Sequence, residues 1–181
     1  MIWWPTEIPT LQYGLLTLRP LNESDIPSVY QGVQDPLIPQ FTTIPAKYTI
    51  ESAEHFVNVK SPDFFAAKKE IPFAMIYDEV FAGVISLHSI DLPDHCSEIG
   101  YWMAKHMRGR GICTNAAKLI TEYGFTTMGF RRIEAVVDVT NEASKALLLS
   151  AGFSLEGIMR DRVTREDGTQ KDMALFSVLA R

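Results

Sequence analysis

The chain has 181 residues, 46% of them hydrophobic and 22% charged, and a net charge of −5. That length buries a sizeable core and suits one globular domain over residues 1–181. The acidic balance disfavours a general nucleic-acid binder, and no stretch reaches the length of a membrane span.

Cys96 and Cys113 offer neither a disulfide framework nor a metal site. The opening Met1-Ile2-Trp3-Trp4-Pro5 lacks the basic region and apolar run of a signal peptide, so a reducing cytoplasm is the expected compartment.

Leu15 to Arg19 alternates and predicts a strand ended by Pro20. Asn22-Glu23-Ser24-Asp25 then reads as a helix start, with Ile26, Val29, Tyr30 and Val33 as its apolar stripe. Asp35 to Tyr48 carries Pro36, Pro39 and Pro45 and reads as a loop. A second helix is predicted from Ile50 to Val59. Pro72–Tyr77 and Val80–Ile90 form two strands around Asp78-Glu79, and Ser97–Ala104 is the next strand.

Arg108-Gly109-Arg110-Gly111-Ile112-Cys113-Thr114 follows, opening a helical pattern that continues to about Met128 and stops at Gly129. A strand that passes through a Gly-rich turn into a helix gathers free backbone N–H groups at the positive end of the helix dipole. Such a turn holds a phosphate or pyrophosphate, and Arg108 and Arg110 add charge for it. The same turn also occurs as a plain connection. Thr114 stands where a dinucleotide fingerprint needs its third glycine, and no Gly-Lys-Ser/Thr follows.

Ile133–Val139 alternates as a strand, Asn141 caps a helix that ends at Gly152, and Phe153–Arg165 with Gln170–Leu179 closes the chain as a hairpin around Asp167-Gly168. This order gives an α/β chain with a mixed sheet and helices on both faces.

Several pieces in order and with matching spacing resemble the GCN5-related N-acetyltransferase superfamily, of the RimJ/RimL type. They are Leu16-Thr17-Leu18-Arg19-Pro20-Leu21, Glu98-Ile99-Gly100-Tyr101-Trp102-Met103, Arg108-Gly109-Arg110-Gly111-Ile112, Arg132-Ile133-Glu134-Ala135, Asn141-Glu142-Ala143-Ser144, Gly152-Phe153 and Glu156-Gly157. The resemblance covers nearly the whole chain. It implies a mixed, mostly antiparallel, twisted sheet of about seven strands with helices on both faces.

The resemblance also implies that acetyl-coenzyme A is the cofactor. Its expected contacts are Trp102, Met103 and Ala104 on the strand, Arg108, Gly109, Arg110, Gly111, Ile112, Cys113 and Thr114 at the turn, and Asn141 and Ser144 beyond. Cys113 departs from the family's Gly/Ala, and Ser150 stands where many relatives carry Lys.

Acetyl transfer to an amine needs a base, an oxyanion donor and a way to neutralise the leaving thiolate. The resemblance implies direct attack in a ternary complex, with Met103 as the backbone oxyanion donor. Glu98 is the expected base, in rivalry with His88; either also fits an ordinary strand residue. Asn141 reads as a helix cap, with Ser144 helping to satisfy the free N–H groups.

By resemblance Asn141 also contacts the pantetheine arm and Ser144 meets the thiol sulfur. A tyrosine, the wider superfamily's usual donor there, is absent from its position. Trp3, Trp4, Phe64 and Phe65 are either a substrate rim or core anchors.

The acceptor is expected to be a primary amine. It is a protein N-terminus of the ribosomal-protein kind or, alternatively, a small amine such as an antibiotic or polyamine. A non-catalytic acetyl-coenzyme-A-binding module is the alternative from another class. The chain is expected to act as a monomer or homodimer.

Overall fold

The computed structural model describes residues 2–165 and 167–180. Among them eight strands form one sheet: β1 (Leu11–Tyr13), β2 (Leu16–Arg19), β3 (Glu70–Tyr77), β4 (Val80–Asp91), β5 (Cys96–Met103), β6 (Arg132–Asp138), β7 (Ser154–Thr164) and β8 (Gln170–Leu179). Their spatial order is β1-β2-β3-β4-β5-β6-β8-β7. Every neighbouring pair is antiparallel except β5 and β6, which are parallel. The helices are α1 (Ile26–Val33), α2 (Leu37–Phe41), α3 (Ile50–His55), α4 (Ser61–Ala66), α5 (Ile112–Tyr123) and α6 (Glu142–Ser150).

The strands' two-residue period decides which helix each face meets. On one face Ile85 and Leu87 of β4, Ile99 of β5 and Ile133 and Ala135 of β6 pack with Ala116, Ala117 and Ile120 of α5. On the other, Val84 of β4 and Trp102 of β5 pack with Val29 and Val33 of α1, Ile38 of α2 and Ala53 of α3. Ile85, Leu87 and Ile120 are 0% exposed; each such side chain contributes about 1.5–3 kcal/mol of burial energy. Gly32 in α1 sits so close to the indole that a Cβ there would lie 2.5 Å from Trp102.

Chain direction after β2 is set by charge. Asp25 is 3% exposed and accepts two hydrogen bonds of 2.7 Å from the Arg19 guanidinium, plus the Asn22 N–H. The Asn22 side chain in turn accepts from the Ser24 N–H. That reciprocal cap turns the chain straight into α1.

Three sequence expectations change. β1 is an eighth strand, formed because Gly14 (φ +57) folds Leu11–Tyr13 back on β2. Residues 35–48 contain α2 rather than loop alone. Pro39 falls in its first turn, where no N–H is needed, and Asp35 Oδ1 accepts the Leu37 N–H at 3.0 Å. The second helix runs on through a wide turn, Phe56–Lys60, into α4. No helix among the described residues is long and apolar enough to cross a membrane.

Candidate active site

β5 and β6 pair only at Cys96↔Arg132, Ser97↔Ile133 and Glu98↔Glu134. Beyond Glu98, β5 follows β4 as far as Met103↔Gly83, and β6 follows β8 as far as Asp138↔Met173. Each strand keeps its antiparallel partner, so a wedge opens between them. The Ala104 N–H is directed onto the Ala82 carbonyl at 2.8 Å, towards β4. Backbone groups alternate along a strand, so the N–H groups of Met103 and Tyr101 point into the wedge, unclaimed by a neighbouring strand.

The Gly-rich turn closes one side of the wedge. Gly109 and Gly111 have φ of +76° and +70°, and a Cβ at either would meet nothing within 4 Å. Glycine is therefore required by backbone conformation, and the space beside it is open. α5 has no side-chain cap and no acidic residue in its first turn. Its first helical bond runs from the Asn115 N–H to the Gly111 carbonyl at 3.0 Å. The N–H groups of Ile112, Cys113 and Thr114 precede that bond and are free for an anion.

The side chains at the turn divide. Ile112 and Cys113 are 2% and 5% exposed and belong to the core, so only their backbone faces the turn. Burial pushes the Cys113 thiol up to about 12. Arg110 is exposed beside the glycines. Arg108 is not aimed at the turn: it donates to the Met103 carbonyl at 2.9 Å and to Asp35 Oδ2 at 2.8 Å. Trp102 is likewise occupied, its indole packed on Phe81 with ring centroids 6.0 Å apart.

At the apex of the wedge His88, Glu98 and Glu134 lie in register across β4, β5 and β6 and share one face. The His88 ring lies over Gly100, where a Cβ would come within 2.7 Å of Nε2, and Nδ1 is 2.9 Å from Ser89 Oγ. Burial raises the Glu98 carboxyl above its ordinary range. His88 opposes that shift and the Glu134 charge adds to it. Glu134 is itself bonded to Arg132, which also donates to Glu156 at 2.7 Å. Arg132 and Ser177 together hold Glu156 down at about 2.

Across the wedge, the Tyr101 hydroxyl from β5 and the Ser144 hydroxyl from α6 are 2.7 Å apart. Asn141 caps α6, accepting the Ser144 N–H at 3.1 Å. The expectation that Ser144 helps with capping is corrected: its hydroxyl goes to Tyr101 instead. Burial drives the Tyr101 phenol far above its usual value, so it stays protonated and able to donate.

Tyr101 and Asp35 are the site residues that sequence reading passed over. Their partners lie 43 and 73 positions away, which no local pattern reveals. Among the aromatics, Trp4 and Phe65 stack at 5.5 Å as core anchors, while Trp3 is 52% exposed.

The acetyltransferase (GNAT) domain family matches residues 16–154. The chain is 34% identical over 133 residues to the putative ribosomal N-acetyltransferase YdaF of Bacillus subtilis, covering 72% of each chain. It is 28% identical over 142 residues to the spermidine N(1)-acetyltransferase of Escherichia coli K12, covering 77% of this chain and 73% of that one. Among solved structures it resembles the microcin C7 self-immunity acetyltransferase MccE in complex with acetyl-CoA and AMP. That match has a TM-score of 0.82 and 26% identity, and covers 92% of this chain and 93% of that one. A splayed parallel pair, a glycine turn opening a helix and these matches lead to one conclusion: the chain belongs to the GNAT acetyltransferase family and is an N-acetyltransferase that uses acetyl-coenzyme A.

Proposed function

We propose that the protein acetylates a primary amine at a protein N-terminus, of the ribosomal-protein kind, by direct attack in a ternary complex. One acetyltransferase domain spanning the chain carries the reaction. The observation behind this reading is the wedge itself, with the half-buried Glu98 at its apex and the Tyr101–Ser144 pair across its open part. The likeness to YdaF supports the choice of acceptor.

When bound, acetyl-coenzyme A supplies the thioester. Gly109, Gly111 and the N–H groups of Ile112, Cys113 and Thr114 fit its pyrophosphate, with Arg110 adding charge, and Asn141 borders the pantetheine arm. Glu98 takes the proton of the attacking amine, directly or through water, with His88 as the rival base. The Met103 N–H receives the developing oxyanion. Ser144 donates to the departing sulfur. Both cysteine thiols are raised by burial, Cys113 to about 12, so the chain has no ready thiolate for an acyl-enzyme. Initial rates with both substrates varied test this: intersecting lines fit direct attack, and parallel lines overturn it.

A polyamine acceptor is the second reading. Glu98 and Glu134 stand side by side in register, and a carboxylate pair favours a cationic amine. The spermidine acetyltransferase relative points the same way. A panel of Ser-, Ala- and Met-initiated peptides with spermidine as competitor decides. The N-terminal reading expects kcat/KM for a peptide at least tenfold above that for spermidine; the reverse order overturns it.

A further inference from the structure

α2 stands where the wedge is widest, and both of its ends are fastened to the diverging strands. At one end, Arg108 holds the last carbonyl of β5, that of Met103, and with the same guanidinium holds Asp35. At the other end, Asp138, the last residue of β6, receives Lys171 and lies 3.9 Å from Arg165. Arg165 donates onward to the Gln40 carbonyl, and the Lys171 ammonium sits over the Phe41 ring, 5.9 Å from its centroid.

The two carboxylates are the most enclosed atoms of these contacts, with side chains 8% and 6% exposed for Asp35 and Asp138. A buried carboxylate persists as an ion only when it is paired and hydrogen-bonded. Asp35 is held below its ordinary range first by the Leu37 N–H, and Arg108 adds to it. At Asp138 burial works in the opposite direction, but the hydrogen bonds from Lys171 and Thr140 outweigh it. Both clips are therefore ion pairs at neutral pH. Seven residues of chain, from Asp35 to Phe41, join the end of β5 to the end of β6. They do so on the face that also carries Glu98, Gly100 and Trp102.

We propose that α2 is a bridge across the mouth of the wedge. Its two clips, Asp35–Arg108 and Arg165/Lys171–Asp138, are positioning elements that hold the acceptor entrance in line with the donor slot. The role of Arg108 follows from this: it links the glycine turn to the acceptor side through its side chain and leaves the turn's backbone free for the anion. The kinetic arm of the proposal rests on the acceptor face assigned above; the structural arm does not.

The test uses Asp35→Asn, which keeps the bond from the Leu37 N–H, Arg165→Gln, and the double variant. Hydrogen exchange across residues 37–42 reads the bridge without any substrate. Each single variant should raise that exchange about tenfold along the whole segment, as expected for one lost charge-assisted bond. The double variant should add little more, because a bridge released at one end is already released. In parallel, KM for a Ser-initiated peptide should rise about tenfold, with kcat and calorimetric coenzyme-A affinity unchanged within twofold.

Exchange confined to the cut end, or effects that add fully in the double variant, would overturn the bridge. A wild-type enzyme that binds coenzyme A but ignores the peptide overturns the N-terminal reading instead, and leaves the exchange result to decide the bridge.

Discussion

Ser144→Ala isolates the chemistry of the thiolate from the architecture around it. The helix cap survives the change, because Asn141 accepts from the backbone N–H of residue 144, not from its side chain. The lost contact is the 2.7 Å bond to Tyr101. Tyr101 is buried on β5, and its phenol would then lack a partner. An unsatisfied buried donor costs about 1–3 kcal/mol, which lowers Tm by about 2–12 °C in a chain of this size. Tyr101→Phe leaves Ser144 with access to water and should cost only about 1 kcal/mol.

The double variant Tyr101→Phe/Ser144→Ala removes both groups and should be less destabilised than the sum of the singles. Turnover should follow a different pattern. Ser144→Ala should lower kcat by up to about 10²–10⁴-fold, the range of a positioned proton donor, with coenzyme-A affinity retained. Tyr101→Phe should lower kcat less, and should have no effect in the Ser144→Ala background. Steady-state release of free thiol, calorimetry with coenzyme A and thermal melts give all three readouts. A Ser144→Ala enzyme with unchanged kcat and pH profile would refute the reasoning and reduce the pair to a tie between β5 and α6.

Glu98 carries a carboxyl raised by burial above its ordinary 4.5. Its ionised form is thus disfavoured in the folded state, and that penalty is absent below 4.5 and present above the raised value. Glu98→Gln should match the wild type in stability at acid pH and gain on it as pH rises, while losing turnover most between the raised Glu98 value and the pKa of the amine, where the carboxylate is ionised and the amine still carries its proton. Loss of activity in His88→Ala with Glu98→Gln unaffected would reassign the base. Gly32→Ala forces a methyl to within 2.5 Å of Trp102 and should cost about 1–3 kcal/mol by overpacking; an unchanged melting curve would contradict the close packing of α1 on β5.

Much of the sheet was legible because β6 alternates apolar and polar residues and β4 opens with a long apolar run. Val80 to Ile90 and Ile133 to Val139 came within a residue or so of β4 and β6. The glycine turn and the Asn141 cap were legible because each is a local backbone demand that few residues meet. β1 was missed because three residues are too short to show a period. α2 was missed because its prolines read as loop, although Pro39 sits where a helix tolerates it. The contacts of Tyr101 with Ser144, and of Asp35 with Arg108, join segments 43 and 73 positions apart. Side-chain pairing at that range depends on the completed sheet, so it leaves no trace in any window of the chain. Arg108 shows the limit most clearly: its position beside two glycines suggested a phosphate ligand, while its guanidinium is aimed at Met103 and Asp35.

Isothermal titration of coenzyme A into the wild-type protein and into Gly111→Val tests the central claim most directly. Gly111 has φ +70° with open space beside it, so a β-branched side chain both strains the turn and fills the place proposed for the pyrophosphate. Circular dichroism and a thermal melt establish that the variant is folded. The account predicts saturable one-to-one binding to the wild type and no measurable binding to folded Gly111→Val. Equal affinity in the two proteins would place the cofactor elsewhere and contradict the assignment of the wedge as the active site.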